Sequence, residues 1–437
     1  MRDAKIPQMK SSIIEASYPI SFRQKDALAL GEQIKNRHSV VLIGMKRVGI
    51  SNFLRFFLYH KGIQEKYIND GKKHIFIPID LNDLVEREIF PFWVLTQKRI
   101  LDAVEENKVP PNIKKKIDGL FISSIQSQDL FLTIDSIRQS LLILIEAGFI
   151  PTLFFLRFDR MKDSFTTELF NNLQGLVAAT NHNLSYVFTS VRGLDSLSTT
   201  ITRSQSYAFA HNIYIKPAIH EDSLIIYSTM NRNYKLRLSD SLMRELLRAV
   251  DGYVQYLFFS LIFLHERKAN LPKPNELFPL LLEDERIALQ SEELWESLNV
   301  SEKDALIKLH EGIKITKEEK LAAEYLFQTG IISDEEGIFS PLFSSFVQEK
   351  IHERKLLDNR IELTRKEHLF LNLLLSKKDE VCERELIIKS VWPETESLGV
   401  SDWAIDRLVA RLRTKLKTQS SKHEIITVKT RGYKLLK

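Results

Sequence analysis

The chain has 437 residues, 44% hydrophobic and 27% charged. That is an ordinary balance for globular protein, and the length exceeds one hydrophobic core, so two to four domains are expected. Its single cysteine, Cys382, excludes an intramolecular disulfide framework and suits a reducing compartment. The flanking string "EVCEREL" holds no His or second Cys, so Cys382 reads as a packing residue. The formal net charge of +5 is unevenly placed. Residues 358–437 carry 17 Lys or Arg against 12 acids, and the other 357 residues carry 45 of each sign. Within the last 31 residues, ten Lys or Arg face one acid, Glu424, which is the electrostatic footprint of polyanion binding.

The N-terminal string "MRDAKIPQMKSS" has no apolar signal-peptide region. The most apolar stretch, "SLLILIEAGFIPTLFFLRFD", is interrupted by Glu146, Gly148 and Pro151 and falls short of a membrane span. A soluble, cytoplasmic protein with no membrane partner is therefore expected.

In chain order, the apolar, β-branched run 39–44 predicts a buried strand that ends at Gly44. A helix is predicted from Ser51 to about Lys61, with Phe53, Leu54, Phe57 and Leu58 on one side. Further strands are predicted at 74–80, 152–158, 185–191 and 211–217, separated by helical patterns. Such alternation specifies a mostly parallel α/β sheet. From His220 to Leu294 only helical periodicity remains. Residues 300–352 read as helix, helix and a short β-like piece at "GIFSPLF", and "RKLLDNR" (354–360) reads as a polar connector.

Between the first strand and its helix lies "GMKRVGIS" (44–51). A phosphate-binding loop has the pattern G-x-x-x-x-G-K-[ST], and Gly44, Gly49 and Ser51 are in register with it. Ile50 stands at the lysine position, where a positive charge on the β- and γ-phosphates is needed. Lys46 and Arg47 lie within the loop but are expected to point away from the phosphate cradle. Backbone amides at the helix N-terminus retain some capacity for an anion.

Residues 15–350 resemble the P-loop ATPases of the AAA+ and STAND type. The supporting strings are "SFRQKDAL" (21–28) ahead of the first strand, "LRFDR" (156–160) at the third, and Thr189, Ser190 and Arg192 at the fourth. "IKPAIHEDS" (215–223) and "DGYVQYL" (251–257) resemble the lid segment, and "IFSPLFSSFV" lies in what resembles an internal winged helix. The resemblance implies an acidic dyad on the third strand. Leu156 and Arg157 occupy those places, with Asp159 beyond them. A fold kept while the lysine and both acids are lost implies a pseudo-ATPase that is not an enzyme, with no obligatory cofactor and at most weak ATP or ADP binding.

The last segment carries its own pattern. From 402 to 417, at 100° per residue, Ile405, Leu408, Leu412 and Leu416 form one apolar stripe. Trp403, Arg407, Ala410 and Thr414 lie opposite, with Arg411 and Arg413 on the shoulders. A helix with an apolar back and an arginine-bearing front suits a major groove. "TVKTRGY" (427–433) predicts a strand and turn with Lys429 and Arg431 at the tip. Residues 361–437 resemble the winged-helix domain of OmpR/PhoB-type response regulators, through "IELTRKEHLFLNLLL", "VCERELIIKSVWP", "SDWAIDRLVARLRTKLK" and "IITVKTRGYKLLK". The resemblance implies DNA contacts from Arg411, Arg413, Thr427 and Lys429. Trp403 and Ala410 depart from the family, where basic residues are common.

The reading divides the chain into a degenerate AAA+/STAND-like α/β domain (1–219), a helical lid (220–298), an internal winged helix (299–353) and an OmpR/PhoB-like winged helix (358–437). Candidate DNA-binding residues are Trp403, Arg407, Arg411, Arg413, Thr414, Lys415, Thr427, Lys429, Arg431 and Tyr433, of which Tyr433 equally suits core packing. No phosphorelay receiver is expected, because no acidic pair precedes Asp80. Expected partners are double-stranded DNA and a second copy, or another protein, through the N-terminal module. Three roles remain open: a regulator with a pseudo-ATPase module, an ATP-binding STAND-type switch, and a DNA-binding structural subunit of a mobile-element or defence complex.

Overall fold

Five short runs rich in β-branched and aromatic residues assemble into a single parallel sheet in the computed structural model. The structure describes residues 13–437 other than 108, 198–201, 334–336, 361–362, 378–379, 393–399, 401, 419–422, 429–430 and 437, and for 204, 207, 353–360 and 418 the backbone alone. These residues divide into two compact units, 1–297 with 320–343, and 298–319 with 344–437.

In the first unit the order along the chain is α1 (Gln24–Lys35), β1 (Val40–Ile43), α2 (Ile50–Tyr59), β2 (Lys73–Asp80), α3 (Ile89–Glu106), α4 (Pro111–Ser127) and α5 (Leu130–Glu146). There follow β3 (Phe149–Leu156), α6 (Thr167–Ala179), β4 (Ser185–Ser190), α7 (Leu194–Leu197), α8 (Arg203–Phe209) and β5 (His211–Tyr214). The sheet order is β2-β3-β4-β1-β5, every pairing parallel. Both faces of such a sheet are covered by helices, so its central strands lack a polar alternation. All four residues of β1 and all six of β4 are buried. Phe155 stacks on Phe92 and on Phe188, with ring centroids 5.1 and 5.5 Å apart, which ties α3, β3 and β4 together.

The expected strands are all present, with the third displaced. It runs 149–156 rather than 152–158 because Arg157 adopts a left-handed backbone, φ 60°, and ends the ladder. Five helices follow, as the periodicity predicts: α9 (His220–Tyr234), α10 (Asp240–Val250), α11 (Val254–Glu266), α12 (Pro274–Leu282) and α13 (Glu285–Glu296).

Residues 299–353, read as an internal winged helix, hold α14 (Val300–His310), α15 (Lys317–Ala322), α16 (Glu324–Gln328) and an isolated bridge, Ile332–Ile338. Their residues are shared between the two units. Helix α17 (Pro341–Arg360) runs through 354–360, where the polar composition predicts a connector. Polarity alone does not separate a linker from a solvated helix.

The second unit closes with α18 (Arg365–Ser376), β6 (Cys382–Glu383), α19 (Arg384–Val391), α20 (Asp402–Thr418), β7 (Glu424–Val428) and β8 (Gly432–Leu436). Its antiparallel sheet has the order β6-β8-β7. Phe370, Leu374, Ile387, Ile405, Leu412, Leu416 and Leu435 form the core beneath α20, and Cys382 is buried within it. Gly432 is required where β8 starts: its φ is 150°, and a Cβ there would lie 2.0 Å from the Cys382 carbonyl oxygen.

Candidate nucleic-acid interface

Helix α20 is positioned by its apolar stripe. Ile405, Leu408, Leu412 and Leu416 are buried as the helical phase predicts, joined by Val409. Trp403, Arg407, Ala410, Arg411 and Thr414 are exposed on the opposite front. Trp403 is 67% exposed, and the Arg407 guanidinium lies 4.9 Å from its ring centroid. Such stacking keeps the arginine planar and extended without neutralising it. Arg411 makes no hydrogen bond or ion pair among the described residues.

The other candidates on this helix have structural partners. Arg413 donates from Nε to the Ile425 carbonyl and from Nη2 to Thr427 Oγ1, each at 2.8 Å, and so ties α20 to β7. Lys415 Nζ lies 2.7 Å from Glu367 Oε2, a carboxylate only 1% exposed. Burial alone would raise the Glu367 carboxyl, but Lys415 and the Thr364 N–H and hydroxyl together hold it below the ordinary range. Thr414 Oγ1 donates to the Ala410 carbonyl at 2.9 Å.

Tyr433 is buried and donates to Asp406, which also pairs with Arg384 at 2.9 Å. Burial, then the hydrogen bond to Asp406, pushes the Tyr433 hydroxyl up to about 12. Thr427 and Arg431 are exposed, and Lys429 lies outside the described residues. Glu367 and Arg384 have positioning roles that the periodicity does not single out. The string Thr364-x-x-Glu367 is a readable capping box, and it forms.

In the first unit, the loop after β1 starts the N-terminus of α2, where Gly49 has φ 114°. A Cβ on Gly49 would lie 2.7 Å from Val254 Cγ2, so the first residue of α11 packs directly on the loop. Tyr253 donates to the Lys46 carbonyl at 2.6 Å. Lys46 and Arg47 point to Glu293 on α13, at 3.7 and 3.3 Å. Gly44 is buried, Ile50 is half-buried and Ser51 is exposed.

Beside the loop, Arg23 is buried. Its Nη1 donates to Asp26 and to the Lys216 carbonyl, while Nε and Nη2 have no hydrogen-bond partner among the described residues. At the ends of β2 and β3, Arg157 pairs with Asp80 at 2.5 Å, and the Arg157 N–H donates to Thr189 Oγ1 at 2.6 Å. Asp159 lies in the following turn, and burial raises its carboxyl. The structure thus brings Gly44, Gly49 and Ser51 to the head of α2 and sets an internal ion pair where the resemblance implies an acidic dyad. No cluster of three or more metal-ligating side chains occurs among the described residues, and no described helix is long and apolar enough to cross a membrane.

Residues 358–435 match the family model of the C-terminal domain of transcriptional regulatory proteins. The chain is also similar to the probable transcriptional regulator ycf27 of Cyanophora paradoxa, 34% identical over 91 residues. That match covers 20% of this chain and spans 38% of the relative's length. The N-terminal fold is similar to a Walker-type ATPase of Pyrococcus abyssi, with a TM-score of 0.50 at 18% identity, over 75% of this chain and 95% of that one. The ORC2 protein of Aeropyrum pernix aligns over 78% of this chain and 88% of its own, with a TM-score of 0.41 and 13% identity. The resemblances read from the residues are met at the level of fold, a winged helix at the C-terminus and, ahead of it, a parallel sheet similar to that of a Walker-type ATPase.

Proposed function

We propose that the chain is a DNA-binding regulator of transcription that reads duplex DNA with α20 and the wing formed by β7 and β8. The observation that carries this reading is the match of residues 358–435 to a transcriptional-regulator domain. The exposed front of Trp403, Arg407 and Arg411 on a helix with a buried apolar back supports it. Phosphate contacts from the basic tail supply affinity, and side chains on the helix front supply base discrimination.

The N-terminal module acts as an assembly or sensing platform that does not hydrolyse nucleotide. Ile50 in place of the lysine, and Arg157 paired with Asp80, do not fit a metal-bound triphosphate. A second reading, a nucleotide-held switch, is favoured by one observation: two nitrogens of buried Arg23, Nε and Nη2, have no hydrogen-bond partner among the described residues and lie beside Gly49. ATP affinity in the micromolar range would select that reading over the first.

Selection of bound duplexes from a random library with the full chain, followed by genomic footprinting, tests the regulator role. An enriched motif found upstream of genes whose transcripts change on deletion is the expected outcome. Binding without any enriched motif, and with no change in transcription, would instead favour a structural DNA-binding subunit.

A further inference from the structure

Seventeen large hydrophobic side chains are exposed among the described residues, and five of them fall within the eleven residues from 122 to 132. Ile122, Ile125, Leu130, Phe131 and Leu132, at the turn between α4 and α5, are 47, 44, 38, 71 and 47% exposed. Scattered apolar side chains need no explanation, whereas five exposed ones around a single helix–helix turn do. The patch is built on regular structure. Ile117 and Ser124 are buried on the inner face of α4, and the Asp129 carboxylate caps α5 by accepting from the Leu132 N–H at 2.8 Å.

The outward face of α4 has a second property. Lys115, Asp118, Ile122 and Ile125 recur at the spacing of one helical stripe, and Asp129 follows just past the helix end. Lys115 and Asp129 are exposed and lie seven residues to either side of Ile122. A two-fold axis at Ile122 sets two such helices antiparallel. It brings Lys115 of each copy to Asp129 of the other and Asp118 to the exposed Gln126, with the apolar side chains between them. An isologous interface requires this self-complementarity.

We infer that the outer face of the α4–α5 hairpin binds a second copy of this chain, antiparallel, with Ile122 and Ile125 at the centre and Lys115–Asp129 pairs at the rim. The inference rests on the reading of the N-terminal module as an assembly platform and names its surface. A dimer joins two winged helices and raises affinity for a paired site through effective concentration.

Sedimentation velocity of the full chain over a wide concentration range tests it. The wild type should pass from monomer to dimer, and Ile122→Lys/Ile125→Lys should remain monomeric while melting cooperatively, as the wild type does at concentrations where it is monomeric. Lys115→Gln and Asp129→Asn, the latter keeping a capping side chain, should each raise the dimer dissociation constant about tenfold. Combined, they should add little beyond either alone, because each already removes the same two symmetry-related pairs. A wild type that is monomeric throughout, or a double-lysine variant that dimerises as the wild type does, overturns the inference. Anisotropy on a random-sequence duplex separates the two claims. A monomer that binds DNA sinks the interface and leaves the regulator reading, whereas a dimer that binds no DNA does the reverse.

Discussion

Arg411 and Arg413 are two residues apart on α20 and meet different surroundings. Arg411 is exposed and makes no hydrogen bond or ion pair among the described residues, whereas Arg413 donates two N–H groups to β7. Their replacement should therefore separate recognition from folding. Arg411→Ala should weaken binding to the selected duplex by about 1–3 kcal/mol with the melting temperature unchanged. Arg413→Ala should lower stability by about 1–2 kcal/mol through the lost hydrogen bonds, and DNA affinity along with it. Thermal melting and anisotropy on the same variants check both, and an Arg411→Ala protein with unaltered affinity would remove that residue from the interface. The sequence distinguishes the two arginines only by helical phase, which puts both on the shoulders of the polar face. Their division follows from β7, whose packing beside α20 periodicity does not encode.

At the scale of elements, α20 is held to α18 by Lys415 and Glu367, a pair joining helices 48 positions apart. Glu367 lies inside the domain, so the ammonium of Lys415 offsets a desolvation cost that a lone carboxylate would bear in full. The folded-state carboxyl is depressed relative to the unfolded one. Its stabilising contribution is therefore fully present above the ordinary glutamate range, about 4.3, and is lost as pH falls through the folded value. Lys415→Met should destabilise the C-terminal domain by roughly 1–3 kcal/mol at neutral pH. Its stability should also vary less with pH in the acid range than that of the wild type, measured by denaturant titration at several pH values. The elements themselves were largely legible. The buried stripe of α20 and all five parallel strands follow from period and β-branching. The displaced end of β3 and the helical run through 354–360 do not, since one depends on a left-handed residue and the other on a polar helix.

For the molecule as a whole, the charge distribution and the loop chemistry lead to different roles for its two ends. The first 357 residues are balanced in charge and carry a P-loop fold with isoleucine at the lysine position. Ile50→Lys should leave ATP turnover at background, because Arg157 and Asp80 still neutralise each other where a metal would be directed. Robust phosphate release by that single variant would overturn the pseudo-ATPase proposal.

By itself, the sequence determined the class of both folds, the stripe that buries α20 and the residue types of the loop, with Ile50 after Gly49. These depend on residue type at fixed spacing, which local geometry translates directly into faces and positions. Only the tertiary structure decided that Arg157 meets Asp80, that Lys415 neutralises a buried glutamate, and that Arg413 and Tyr433 are engaged within the protein while Arg407 and Arg411 stay exposed. Those outcomes turn on pairs far apart in the chain, and their partners are chosen by how strands and helices pack rather than by any local pattern.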